Sequence, residues 1–189
     1  MKTFIHILML IAVVQSWASK DYDRDAVLQP LTNEIYPFTT DGCSRFPDGG
    51  KKRALWLICC EVHDVAYWAG VGGEKGRAKA DEDLYTCVSK RTNRAFGSLV
   101  WSGPRFTPLN TSRLFPSEYR WGYGWPFVLG THIPLNTLQK ESIRQNLNTV
   151  FPAVEARRSQ NKFPPLTQEE RSELAERIKR LFWEIDDLD

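Results

Sequence analysis

His63 and Asp64 follow the adjacent cysteines Cys59 and Cys60 in the stretch "CCEVHDVAY", residues 59–67, and Tyr67 stands one helical turn beyond the histidine. An imidazole next to a carboxylate is a side-chain set for moving protons: the ring takes a proton from water while the carboxylate fixes its tautomer. Upstream, "DGCSRFPDGG" at 41–50 is a turn-rich run carrying Asp41, Gly42 and Cys43. Carboxylates together with loop carbonyls form an oxygen-rich set suited to calcium, which takes about six to eight oxygen ligands and tolerates irregular geometry. Zinc held by Cys59, Cys60 and His63 is the rival metal reading. It is the weaker one, because adjacent cysteines on a helix are awkward joint ligands for a tetrahedral ion.

The elements that must position these residues are partly legible. From Lys51 to Ala69 there is no proline or glycine, and Trp56, Cys59, Cys60, His63 and Tyr67 recur at three- and four-residue spacings. That pattern predicts a helix with one chemically loaded face. "GVGGEKG" is a flexible turn, and "RAKADEDLYTCVSKRTNRAF", residues 77–96, predicts a second helix with Leu84, Tyr85 and Val88 as its apolar stripe. A short turn between helices favours antiparallel packing. Cys59 to His63 advances roughly 6 Å along the first helix, and Cys87 back to Asp81 covers roughly 9 Å along the second, in the same direction. A Cys59–Cys87 bond, one of several pairings open to the four cysteines, would therefore bring Asp81 to the neighbourhood of His63.

The first eighteen residues, "MKTFIHILMLIAVVQSWA", have an early lysine, an apolar run from Phe4 to Val14, and small residues at Ser16 and Ala18. This reads as a signal peptide spanning 1–18. The run is too short for a membrane span, which needs about 20 apolar residues. The expected compartment is secreted or periplasmic, and oxidation there makes four cysteines read as disulfides rather than free thiols. The formal net charge of +2 names no partner and nothing points to nucleic acid. Nine Lys and Arg against four Asp and Glu between Lys75 and Arg120 allow a basic patch, with charges scattered over solvated helix faces as the plainer reading.

These motifs resemble those of the secreted phospholipase A2 superfamily. "CCEVHDVAY" is similar to its helix signature of two cysteines, a His-Asp pair and a tyrosine, and the step from Asp81 to Cys87 is similar to its second helix. "DGCSRFPDG" looks like the calcium loop of the small bacterial and fungal enzymes rather than the longer glycine-rich loop of the animal and venom ones. The match covers residues 41 to about 90. It implies a mostly α fold built on a disulfide-linked antiparallel helix pair of phospholipase A2 type, with bonds Cys43–Cys60 and Cys59–Cys87. His63 becomes the general base, Asp81 its orienting partner, and Tyr67 a hydrogen-bond donor to that aspartate. Asp64 becomes the calcium ligand on the helix, with Asp41 and the Gly42 carbonyl as ligands from the loop. The implied activity is calcium-dependent hydrolysis of a glycerophospholipid carboxylic ester, at the sn-2 position, on a phospholipid aggregate or membrane surface. A non-catalytic secreted module that binds lipid or protein on the same scaffold is the competing class.

Beyond the match the expected organisation is coarser. Residues 19–95 form the phospholipase A2-like core, 96–165 an irregular or β-containing extension rich in aromatics, proline and glycine, and 166–189 an amphipathic helix. Within the extension, "RWGYGWPF" at 120–127 suits core packing, with a lipid interface as the alternative. Asn110 heads an N-x-S/T pattern. Thr167 and Glu170 have capping-box spacing, and Leu174, Ile178, Leu181, Phe182 and Ile185 form one stripe down the last helix.

Overall fold

Of the run without proline or glycine, Leu57–Ala69 folds as helix α1, while residues 54–56 precede it as a turn in which Ala54 has φ of 46°. The computed structural model describes residues 33–44, 46–48, 54–106, 120–126 and 135–186, all within one compact unit, Leu31–Asp189. Helix α1 stops at Gly70, whose φ of 65° lies in the left-handed region and whose N–H bonds the Ala66 carbonyl. Glycine adopts that conformation without a Cβ clash. Helix α2, Gly73–Arg91, begins four residues earlier than expected, so that only 70–72 of the "GVGGEKG" stretch form the turn, and carries Lys90 and Arg91 in its last turn, where cations suit the helix dipole.

The expected second helix ran on to Phe96, but the chain breaks after Arg91. The Thr92 hydroxyl closes on the Val88 carbonyl at 2.8 Å, and the Asn93 side chain accepts the Phe96 N–H at 2.9 Å to start a new helix, α3, Arg94–Phe106. Asparagine is a poor interior helix residue and a strong N-cap, and the cap prevailed over the continuing apolar spacing.

The expectation of an irregular or β-containing segment at 96–165 is corrected for the described residues. They contain most of α3, then helix α4, Thr137–Asn146, a single 3₁₀ turn, Leu147–Thr149, and helix α5, Val150–Gln160, with no strand among them. Proline content misled the reading because Pro152 falls in the first turn of α5, where a missing N–H leaves no hydrogen bond unmade. Asn136 and Gln139 form a full capping box at the start of α4, so the helix is announced by a spacing equivalent to the one recognised later in the chain.

Helix α6, Gln168–Asp186, starts at the expected box: Thr167 N–H donates to Glu170 Oε2 at 2.8 Å and Glu170 N–H to Thr167 Oγ1 at 3.2 Å. Leu174, Leu181 and Ile185 are fully buried, while Phe182 turns outward beneath the Arg144 guanidinium, 6.0 Å from its ring centre. The core centres on Trp68 and Trp125 with Ile58, Val65, Val88, Ile143, Val150 and Val154. Each large apolar side chain buried there contributes about 1.5–3 kcal/mol.

A polar clamp joins the C-terminal helices to α1. Arg158 of α5 is 1% exposed and bonds Glu61 of α1 through Nε at 3.0 Å and Nη2 at 2.7 Å, and Glu170 of α6 through Nη1 and Nη2 at 3.1 Å each. Among the described residues no helix is long and apolar enough to cross a membrane.

Candidate active site

Two disulfides anchor the site. Cys43 is bonded to Cys60 with Cα atoms 5.0 Å apart, and Cys59 to Cys87 at 5.6 Å. This is the pairing the resemblance implies, and it removes Cys59 and Cys60 as thiolate ligands for zinc. Closing loops of 17 and 28 residues contributes about 3 kcal/mol each in the chain-entropy model. Disulfides of this kind point to an oxidising environment.

Contacts between α1 and α2 run in opposite sequence order, Cys59 to Cys87 and then His63 to Asp81, so the helices are antiparallel. The four-residue steps 59, 63 and 67 put the cysteine, histidine and tyrosine on one face of α1. His63 Nε2 lies 3.1 Å from Asp81 Oδ1, and the Tyr67 hydroxyl donates to the same oxygen at 2.7 Å. Arg77, one turn before Asp81 on α2, reaches the other carboxylate oxygen at 3.5 Å and is itself held by Glu74 at 3.0 Å. Asp81 is fully buried. Burial, and then the charge and hydrogen bond of Asp81, push the Tyr67 phenol above its ordinary range, so Tyr67 stays a proton donor. Its ring lies 4.2 Å from the His63 ring and takes the edge of Trp121 at 5.1 Å on another side.

With Nε2 turned to Asp81, His63 keeps Nδ1 for other partners. The ring borders a crevice of about 20 Å³ walled by Cys59, Val62, Ala66, Ala80, Leu84 and Cys87, with Arg177 reaching in from α6. That volume exceeds the roughly 10–15 Å³ a water molecule needs. Arg177 is fixed by two 2.7 Å bonds to Glu184.

Directly after His63 in sequence, Asp64 meets the 40–48 loop. Thr40 donates its hydroxyl to Asp64 Oδ2 at 2.6 Å and accepts the Gly42 N–H at 3.0 Å, while Ser44 donates to Asp41 Oδ1 at 2.7 Å. Gly42 has φ of 76°, a turn glycine readily makes. Burial holds the Asp64 carboxyl well above the usual carboxylate range, and the charges of Asp41 and Glu61 add to that, against the Thr40 hydroxyl and Arg157. Burial also raises Asp41, outweighing Ser44 and Arg157. Among the described residues no three or more His, Cys, Asp and Glu side chains converge as a metal cage, so a metal here would be held by two carboxylates and loop carbonyls. That donor set fits calcium chemically: all ligands are hard oxygens, and the charge of Arg157 does not offset the burial of Asp64, which a divalent cation would do.

The aromatic segment forms the wall behind Tyr67. Gly122 N–H bonds the Tyr67 carbonyl at 2.6 Å, Gly124 N–H the Trp68 carbonyl at 3.2 Å, and Trp125 Nε1 the Ala69 carbonyl at 3.0 Å. Trp121 and Trp125 are buried, so these two rings pack in the core. A Cβ on Gly124 would lie 2.4 Å from the Trp68 ring, which explains the glycine. The basic run is partly spent on neighbours, since Arg77, Lys79 and Arg91 pair with Glu74, Asp83 and Glu173.

Sequence reasoning missed Thr40, Arg77, Arg157 and Arg177. Arg77 was accessible from its four-residue spacing to Asp81, and Thr40 stands directly before Asp41 of the quoted loop; Arg157 and Arg177 come from distant segments and carry no local signal. The leader at 1–18, Asn110 and Phe127 lie outside the described residues. No family model, no curated protein and no solved structure matches this chain.

Proposed function

We propose that this chain is a calcium-dependent, phospholipase A2-like hydrolase that cleaves a carboxylic ester of a glycerophospholipid with water. The observation that carries the reading is the buried Asp81 shared by His63 at 3.1 Å and Tyr67 at 2.7 Å, on an antiparallel helix pair crosslinked next to it. The fold carrying it is then of phospholipase A2 type, with α3 to α6 packed around it.

Asp81 holds the ring proton at Nε2 of His63, which leaves Nδ1 basic. As a water oxygen attacks the ester carbonyl carbon, Nδ1 takes the water proton and then delivers it to the departing glycerol oxygen, releasing fatty acid and lysophospholipid. Asp81 stabilises the imidazolium formed between those steps, and Tyr67 and Arg77 hold Asp81 in place. Asp64, Asp41 and the Gly42 carbonyl would hold calcium, which when bound polarises the ester carbonyl and offsets the oxyanion charge. No acyl-enzyme is required. The substrate is met at a phospholipid aggregate or membrane surface, and the protein acts after export, secreted or in the periplasm.

Fatty-acid release from phosphatidylcholine and phosphatidylglycerol vesicles tests this. Release that needs calcium, and that falls by about 10²–10⁴-fold in His63→Gln with unchanged thermal unfolding, supports the enzyme. Absence of release in both lipids with calcium present leaves the non-catalytic binding module.

A further inference from the structure

Asp41 and Gly42 belong to a loop that is pinned from a part of the chain far outside the recognised motifs. Arg157 of α5 donates from Nη2 to the Asp41 carbonyl, and the same nitrogen lies 3.3 Å from Asp48 Oδ2. Asp48 in turn accepts the Cys43 N–H on its other oxygen at 2.9 Å. One guanidinium therefore joins the two ends of the 41–48 turn, next to the Cys43–Cys60 bond. Its own position is set by the Phe163 ring, 5.6 Å away, and its side chain is 13% exposed.

Gly42 is fitted to this arrangement. A Cβ there would lie 2.5 Å from Arg157 Nη2 and 2.7 Å from both Arg157 Cζ and Asp48 Oδ1, so any side chain would drive the guanidinium off the loop. Both contacts are made by one nitrogen, Nη2, so lysine keeps the charge but loses the planar group that lies over the Phe163 ring.

We propose that Arg157 is the positioning residue of the calcium loop, closing the 41–48 turn against α5 so that Asp41 and the Gly42 carbonyl are preset beside Asp64. The inference rests on the calcium reading of the preceding section and extends it to a residue more than a hundred positions along the chain. Groups that orient metal ligands without touching the metal change affinity by about 10–100-fold when removed. The same size of effect is expected here.

The test is calorimetric titration of the full, disulfide-bonded chain with calcium chloride. Arg157→Gln should weaken calcium binding by about 10–100-fold, and Arg157→Lys should restore part of it. Asp48→Asn keeps an acceptor for the Cys43 N–H but discharges the other end of the bridge; it should weaken binding several-fold, and less in the Arg157→Gln background than in the native chain. That non-additivity separates a shared bridge from a general loss of stability, and Asp48→Asn keeps the test open should Arg157→Gln fail to fold. Unchanged affinity in Arg157→Gln overturns the proposal. Tighter binding also overturns it, because the guanidinium would then be competing with calcium. No calcium binding by the native chain overturns the calcium reading itself, a result distinct from native binding that ignores Arg157.

Discussion

Two buried aspartates flank His63 and live in opposite surroundings. Asp81 receives the Tyr67 hydroxyl at 2.7 Å, His63 at 3.1 Å and Arg77 at 3.5 Å. Asp64, 4% exposed, has the Thr40 hydroxyl at 2.6 Å, while the nearby acids Asp41 and Glu61 act against its charge. The same side-chain type, buried to a similar depth on facing helices, is thus matched by direct donors in one place and, in the other, held by one hydroxyl where the charge of Arg157 does not offset burial. A matched carboxylate orients a neighbour; a short-changed one is suited to receive a cation. A third buried acid, Glu61, shows the structural solution, a direct pairing with Arg158.

The strongest way to break the comparison is Asp81→Asn. It should lower ester hydrolysis by about 10²-fold or more and leave calcium affinity unchanged, as measured by fatty-acid release alongside calcium titration. Next in size, Arg158→Ala strands Glu61 without its cation and should cost about 3–5 kcal/mol in denaturant unfolding. Tyr67→Phe removes one donor from Asp81 and should cost about 1–3 kcal/mol, with a smaller effect on rate than Asp81→Asn.

Asp64→Asn should act in the opposite direction on stability. The folded carboxyl sits well above its ordinary range, so its contribution is fully present below the unfolded value and is lost as pH rises through the folded one. Calcium-free native protein should therefore lose stability on that rise, Asp64→Asn should flatten that part of the profile and melt higher at neutral pH, and added calcium should restore only the native chain. Thermal unfolding against pH, with and without calcium, checks all three.

How far the residues announced this depends on range. His63, Asp64 and Tyr67 were legible because helical periodicity puts them on adjoining faces of α1, and Asp81 because a crosslink between antiparallel helices fixes the register of the second against the first. The capping box at Thr167 and Glu170 marked α6 for a similar local reason. Asn93 ended one helix and began another, an outcome that turns on which of two local preferences wins. Helices α4 and α5 were hidden because the proline and glycine count spans the whole 96–165 segment, although α4 holds neither residue and α5 only Pro152, in its first turn. Arg157 and Arg158 contact residues about a hundred positions away, and nothing in a single chain's periodicity encodes such a pairing.

The division of labour between the two aspartates is tested most directly by the initial rate of fatty-acid release against calcium concentration, for the native chain, Asp81→Asn and Asp64→Asn. The account predicts a saturable calcium response in the native chain, a much lower plateau at the native midpoint in Asp81→Asn, and no calcium response in Asp64→Asn. A native chain that releases no fatty acid with calcium present, or an Asp81→Asn curve whose midpoint shifts as far as that of Asp64→Asn, would contradict it.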